Sequence, residues 1–326
     1  MKAILCSEYG ETGALRFGDL PVPQPGPREI VVEVHSAAVS FMDVLMMQGK
    51  YQMKPPLPYA PGTDAAGIVC AVGAEVSRFR VGDRVACGGW HGAWAEQMLA
   101  SEDWAVPLPA QVDFATGAAF RYAYGTARYA LVTTARLQPG EVLFVSGAAG
   151  GVGLAAVDLG RHLGARVIAG VSTKEKAATV REYGARDVVV YGEEDLRERI
   201  RSLTGGQGVD VCLDNVGGKI FETMARLMNW GGRLLPIGFA SGEIPSLPAN
   251  LPLLKNYAVA GAFWGAWAQR FPRESAAADE ALLRMVAGGE LRPLVSRALP
   301  WDEYAVAIGA IAARQAQGRV VLEVRR

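Results

Sequence analysis

Histidine and cysteine are scarce in this chain of 326 residues, which holds three of the first and four of the second. Cys6, Cys70, Cys87 and Cys212 stand far apart, with no Cys-x-x-Cys pair and no Cys/His ligand spacing. That scatter excludes a disulfide framework and fits reduced, partly buried thiols. His35, His91 and His162 are equally isolated. Net charge is missing too: 33 basic residues balance 33 acidic ones. Neither a basic stripe for nucleic acid nor an acidic tail for a basic partner is present. No apolar run approaches the length of a membrane helix, and the N-terminus lacks the apolar core of a signal peptide. The expectation is a cytoplasmic globular protein with neither nucleic acid nor membrane as partner.

What is present centres on one stretch. Val142–Val145 is an apolar run long enough for a buried strand, and it passes into Ser146-Gly147-Ala148-Ala149-Gly150-Gly151-Val152-Gly153. Val152, Ala155, Ala156, Leu159 and Leu163 then fall on one helical face. Strand, glycine turn and helix in that order make an anion site, because glycine lets a pyrophosphate approach the backbone and the helix start supplies free N–H groups.

Before this stretch the chain reads as short strands punctuated by glycine and proline, with one or two helical turns over Phe41–Gln48. After Pro109 the pattern changes to helices and then to alternating strand and helix as far as Arg233–Ile237, which calls for a parallel sheet covered on both faces. Ala258–Phe263 is a further strand candidate, followed by helices over roughly 274–287 and 301–314 and a strand over Val320–Val324. These last elements are expected to return to the first domain. The predicted architecture is α/β: a β-rich, partly open barrel over 1–122 and 266–326, with a doubly wound nucleotide domain, 123–265, inserted in it.

The second strand of the alternating region ends Ala169-Gly170-Val171-Ser172-Thr173-Lys174-Glu175-Lys176. A carboxylate at its tip would hold the ribose 2′-OH of NAD, and none stands there. A small hydroxyl followed by lysines accepts a 2′-phosphate instead, so NADP(H) is favoured. The alternative is that Lys174 and Lys176 are solvated residues at a helix start.

Several motifs together carry a family likeness: Ser40-Phe41-Met42-Asp43, Gly49-Lys50-Tyr51, Pro58-Tyr59-Ala60-Pro61-Gly62, Val81-Gly82-Asp83-Arg84-Val85, Tyr124-Gly125-Thr126-Ala127, the glycine turn itself, Asp214-Asn215-Val216-Gly217-Gly218 and Gly231-Gly232-Arg233. The chain resembles the zinc-independent medium-chain dehydrogenase/reductases of the NADPH:quinone oxidoreductase, or zeta-crystallin-like, group. The resemblance implies a GroES-like domain joined to a Rossmann domain, with nicotinamide in the cleft. It implies that Ala149, Gly150, Gly151 and Val152 cradle the pyrophosphate and that Ser172, Lys176 and Tyr191 surround the 2′-phosphate. Asn215, Gly238, Phe239 and Ala240 would line the dinucleotide, with Phe263 and Trp264 beside the nicotinamide. Met42, Asp43, Tyr51, Thr126 and Arg314 match positions that reach the cofactor.

The zinc enzymes of the superfamily carry a cysteine where Ser40 stands, a His-Glu pair where this chain has Thr63-Asp64, and a four-cysteine lobe. Zinc needs converging thiolate or imidazole ligands, so no metal is expected. Without one, hydride transfer suits an acceptor that is already electron-poor, such as a quinone or enone, whose conjugation stabilises the developing charge. The proton would come from water or from a hydroxyl such as Ser40 or Tyr51. Quinone reductases usually have asparagine at Ser40, and a second reading of this serine is a cap on the following helix. Arg121 stands where an apolar residue is common and reads either as a structural ion pair or as an anchor for an acidic substrate. Gly261–Trp267, aromatic among small residues, reads as edge-strand core or, by the likeness, as an active-site wall near a subunit interface; an apolar edge favours a homodimer. Two other functions stay open: an enoyl-thioester or acrylyl-CoA-type reductase, and a non-catalytic NADPH-binding protein.

Overall fold

The computed structural model describes residues 1–10 and 14–325. They form two units, 1–122 with 270–326 and 123–269.

The first unit opens with β1 (Lys2–Cys6), β2 (Leu15–Asp19), β3 (Glu29–Val39), α1 (Phe41–Met47), β4 (Asp64–Val72), β5 (Arg84–Gly88), β6 (Gln97–Ser101) and β7 (Ala105–Pro107), and the chain leaves it within α2 (Phe114–Arg128). Its long strand β3 is the organiser. The run Ile30-Val31-Val32 and the small residues Ala37 and Ala38 let it bury both faces, and it pairs antiparallel with β4 and with β6. Trp94 is fully buried and donates its indole N–H to the Ala38 carbonyl at 3.1 Å, which satisfies the polar tip of the largest core side chain.

The second unit alternates without interruption: β8 (Val142–Val145), α3 (Gly151–His162), β9 (Arg166–Val171), α4 (Lys174–Glu182), β10 (Asp187–Val190), α5 (Leu196–Leu203), β11 (Val209–Asp214), α6 (Gly218–Ala225), β12 (Met228–Pro236), α7 (Asn250–Lys255), β13 (Ala258–Val259) and α8 (Trp264–Arg270). The sheet is parallel, with strand order β10-β9-β8-β11-β12-β13. Strands β8 to β11 are largely β-branched and apolar runs because helices cover both faces; Phe144, Ile168, Val189, Cys212 and Leu234 form part of one such core. The chain winds outward from β8 through β9 to β10, then starts again at β11 on the other side of β8. That reversal opens a crevice at the carboxyl ends of β8 and β11, where ligands of this architecture bind.

The chain then returns to the first unit as α9 (Pro272–Ala287), β14 (Val295–Pro300), α10 (Tyr304–Ala312) and β15 (Arg319–Glu323). β15 completes the larger sheet, β14-β15-β3-β4-β5-β7, by lying antiparallel to β3.

Three details depart from the sequence expectations. The strand expected over 258–263 is two residues long, and Gly261–Trp267 is not edge-strand core, because Trp264 opens a helix. The cause is packing at helical spacing: the Trp264 indole lies over Gly125, where a Cβ would sit 2.7 Å from the ring, and Trp267 stacks on Tyr129 with centroids 4.9 Å apart. The crossing back to the first unit accordingly falls after Gln269 rather than after Gly265, since the helix stays with the nucleotide unit. Lastly, the helix expected to reach Arg314 ends at Ala312; Arg314 takes φ +57°, and the Gln315 N–H closes the helix end on the Ala310 carbonyl at 3.0 Å.

Candidate functional site

In the nucleotide unit, the turn after β8 is shaped by backbone crowding. Gly147 has φ +56°, in the left-handed region that favours glycine. Gly153 lies so close beneath it that a Cβ there would stand 2.3 Å from the Gly147 carbonyl oxygen. Helix α3 starts from Gly150 with no side-chain cap, which leaves its first N–H groups to serve an anion. The Ala148 N–H donates to the Gly170 carbonyl at 3.0 Å and holds the turn against the end of β9.

The far side of the crevice is stapled to this turn. Ser146 donates its hydroxyl to the buried carboxylate of Asp214, and its own Oγ accepts the Asn215 N–H at 2.9 Å. The Asn215 amide donates to the Ser146 carbonyl at 2.8 Å. Asp214 also accepts the Gly217 N–H at 2.9 Å; burial pushes its pKa above the ordinary range against these bonds. The loop after β12 joins here, with the Ala240 N–H on the Asn215 carbonyl at 3.1 Å and the Gly238 N–H on the Asp214 carbonyl at 3.3 Å. Ala149 to Val152, Asn215, Gly238, Phe239 and Ala240 are thus brought to one end of one sheet.

At the tip of β9, Lys176 donates to the Ser172 hydroxyl at 3.2 Å, and partial burial lowers the lysine's pKa. Lys174 is instead engaged by Glu193 at 3.1 Å on an exposed surface. Tyr191, expected with Ser172 and Lys176, directs its hydroxyl to the glycine turn, where it accepts the Gly147 N–H at 3.3 Å. Thr126 is buried on α2, Trp264 is 5% exposed over Gly125, and Phe263 is 54% exposed. Beside one another in sequence, the two aromatics therefore differ in what they offer a ligand.

In the β-rich unit, Ser40 is the N-cap of α1. Its backbone N–H donates to Asp43 at 2.7 Å, its hydroxyl donates to the same carboxylate at 2.6 Å, and the Asp43 N–H returns to the Ser40 hydroxyl at 3.2 Å. Asp43 is fully enclosed, and burial raises its pKa to about 6. Met42 is buried beside it, and burial raises the pKa of the half-buried Tyr51 phenol. The acid after Gly62, Asp64, is held by Arg319 at 3.0 Å with both side chains buried. Thr63 offers only a buried hydroxyl. Among the described residues no group of three or more His, Cys, Asp or Glu side chains converges as metal ligands. Hydroxyls at Ser40 and Thr63 and a carboxylate held by arginine do not make a zinc donor set. Arg314 is exposed at the end of α10. Sequence reasoning missed Arg319 and Ser146, because their partners, Asp64 and Asp214, lie far off in the chain.

Residues 26–110 match the alcohol dehydrogenase GroES-like domain, and residues 151–280 match the zinc-binding dehydrogenase family. A "quinone oxidoreductase-like protein 2 homolog" of Nematostella vectensis is 36% identical over 100% of this chain and 89% of its own length. Among solved structures, Escherichia coli quinone oxidoreductase complexed with NADPH is similar with a TM-score of 0.93 at 30% identity, covering 99% of this chain and 100% of that one. The enoyl reductase CurK is similar with a TM-score of 0.89 at 25% identity, covering 99% of this chain and 98% of that one. Full-length likeness in sequence and in fold, over a GroES-like unit joined to a Rossmann-type unit, leads to one conclusion: this chain belongs to the quinone oxidoreductase family of medium-chain dehydrogenase/reductases.

Proposed function

We propose that the chain binds NADPH and reduces quinones or similarly activated conjugated carbonyls without zinc. The observation that carries this reading is the glycine turn at the sheet's switch point with the Lys176–Ser172 pair at the tip of the neighbouring strand. In this reading the nucleotide unit is the cofactor side and the β-rich unit the substrate side. The NADPH complex of the E. coli relative supports the cofactor.

Gly150, Gly151 and Val152 would hold the pyrophosphate by backbone N–H groups and the start of α3. Ser172 and Lys176 would take the 2′-phosphate, a cation and a hydroxyl replacing the acid that NAD-binding sites carry there. NADPH, when bound, supplies the hydride. The chain's task is then to orient the acceptor and provide a proton. The Ser40 hydroxyl already donates to Asp43, which supports Tyr51 or water over Ser40 as the proton source. The raised pKa of Tyr51 keeps that phenol protonated at neutral pH.

An enoyl-thioester reductase shares this chemistry, and the likeness to CurK favours keeping it as the second reading. A homodimer fits the nucleotide unit, whose edge strand β13 has one neighbour and which exposes Trp230 at 72%, Ile244 at 78% and Leu253 at 79%. Four free cysteines support a reducing, cytoplasmic setting.

Following NADPH absorbance with a panel of quinones, enones and enoyl-CoA esters, with NADH as control, tests the proposal. Quinone- or enone-dependent oxidation supports it. Ester-only oxidation supports the second reading, and binding without turnover marks a non-catalytic NADPH-binding protein.

A further inference from the structure

The sheet of the nucleotide unit has a seam. Strands β10, β9 and β8 form one half and β11, β12 and β13 the other, and the halves pair through β8 and β11. Each half of such a sheet presents a site for one mononucleotide, so a dinucleotide lies across the seam. The Ser172–Lys176 pair at the tip of β9 belongs to the first half. Asn215 and the loop Gly238–Ala240, after β11 and β12, belong to the second.

The ladder across the seam ends at Val145 and Leu213, with one further backbone bond from the Ser146 N–H to the Leu213 carbonyl at 3.0 Å. Beyond that point side chains carry the pairing. The Ser146 hydroxyl donates to Asp214, the Asn215 N–H donates to that hydroxyl at 2.9 Å, and the Asn215 amide donates to the Ser146 carbonyl at 2.8 Å. Ser146 and Asp214 are both 0% exposed. The Asp214 carboxylate also takes the N–H groups of Val216 at 3.2 Å and Gly217 at 2.9 Å, so one buried group ties the turn after β8 to the loop after β11. Gly147 rests on that loop: a Cβ there would meet the Val216 side chain at 3.2 Å and the Asn215 Cβ at 3.6 Å.

We propose that Ser146 and Asp214 are positioning residues that set the spacing of the two mononucleotide sites, and so govern binding of the whole dinucleotide but not of its adenosine half alone. This rests on the dinucleotide-binding reading above and adds to it the side chains that couple the two halves. Both are fully enclosed, so they act through the turn and the loop they join, by holding the binding groups of each in register.

The test is calorimetric titration of the full-length wild type and Ser146→Ala with NADPH and with adenosine 2′,5′-bisphosphate, joined to amide hydrogen exchange of the ligand-free proteins. We expect the NADPH dissociation constant to rise about five- to tenfold for the hydrogen bond lost, with binding of the bisphosphate unchanged and faster exchange at Asn215. If Ser146→Ala folds poorly, Ser146→Thr and Ser146→Val, which share one shape and differ in the hydroxyl, should show the same split, with NADPH binding retained in the first and weakened in the second. Equal losses for NADPH and the bisphosphate would mark a general loss of structure and overturn the proposal alone, as would unchanged NADPH binding. Binding of neither ligand by the wild type would overturn the dinucleotide reading and this proposal with it.

Discussion

The guanidinium of Arg121 lies 3.0 Å from the carboxylate of Asp279, and both side chains are 2% exposed. The pair joins α2 to α9 inside the β-rich unit, with the Arg121 guanidinium over the Trp104 ring at 5.1 Å. Gly88 makes room for it, since a Cβ there would meet Arg121 Nη1 at 2.7 Å. Of the two roles the sequence left open for Arg121, the ion pair is the one seen. Removing one member of a buried pair strands the other charge, so Arg121→Met should destabilise the protein by about 3–5 kcal/mol. Arg121→Met combined with Asp279→Leu should recover most of that loss. Urea unfolding of the two single variants and the double variant checks this; a double variant no more stable than the singles would contradict it.

Asp43 gives a pH dependence whose sign follows from its burial. Its pKa is raised from 3.8 in the unfolded chain to about 6 in the fold. Between those values the native state binds the extra proton, so this group's stabilising contribution is complete below the unfolded pKa and is lost as pH rises through the folded one. Asp43→Asn keeps a cap on α1 without the ionisation. Relative to wild type, the variant should gain on the order of 2–3 kcal/mol between about pH 4 and pH 7. Unfolding curves across that range read the difference directly. A difference independent of pH would mean that Asp43 ionises in the fold as it does in water.

Gly153 and Gly261 make a matched comparison in the nucleotide unit. A Cβ on Gly153 meets backbone at 2.3 Å and 2.8 Å, while one on Gly261 meets nothing within 4 Å. Gly153→Ala should therefore push α3 from the turn, weaken NADPH binding more than about tenfold and cost roughly 1–3 kcal/mol by overpacking. Gly261→Ala should leave both unchanged. Binding titrations and thermal unfolding of the two variants test the contrast.

The glycine turn, the alternating elements and the inserted order of the two units were legible because each is written in local pattern: strand run, glycine, helical face. Trp264 was not, since an aromatic stretch among glycines carries no period that separates a short strand from a helix. Its helix is decided by Gly125, which leaves the indole a seat. The Asp279 partner of Arg121 and the Gly147 partner of Tyr191 lie far off in sequence, and only the folded sheet ends and helix faces bring them together. Ser40 was legible as a cap from its place before Phe41, and the structure shows that hydroxyl spent on Asp43.

Lys176 is the residue on which cofactor choice should turn. Its ammonium group stands beside the Ser172 hydroxyl, whereas Lys174 is neutralised by Glu193. Lys176→Ala should weaken NADPH binding about tenfold, one charge-assisted hydrogen bond, and leave NADH binding unchanged. Equal losses for both dinucleotides would move the 2′-phosphate away from this tip.

The most direct measurement is competition of the two dinucleotides for the wild-type protein by calorimetric titration. A single site per chain that prefers NADPH over NADH by at least about tenfold is expected, the margin one charge-assisted contact supplies. Equal affinity, or tighter binding of NADH, would contradict it.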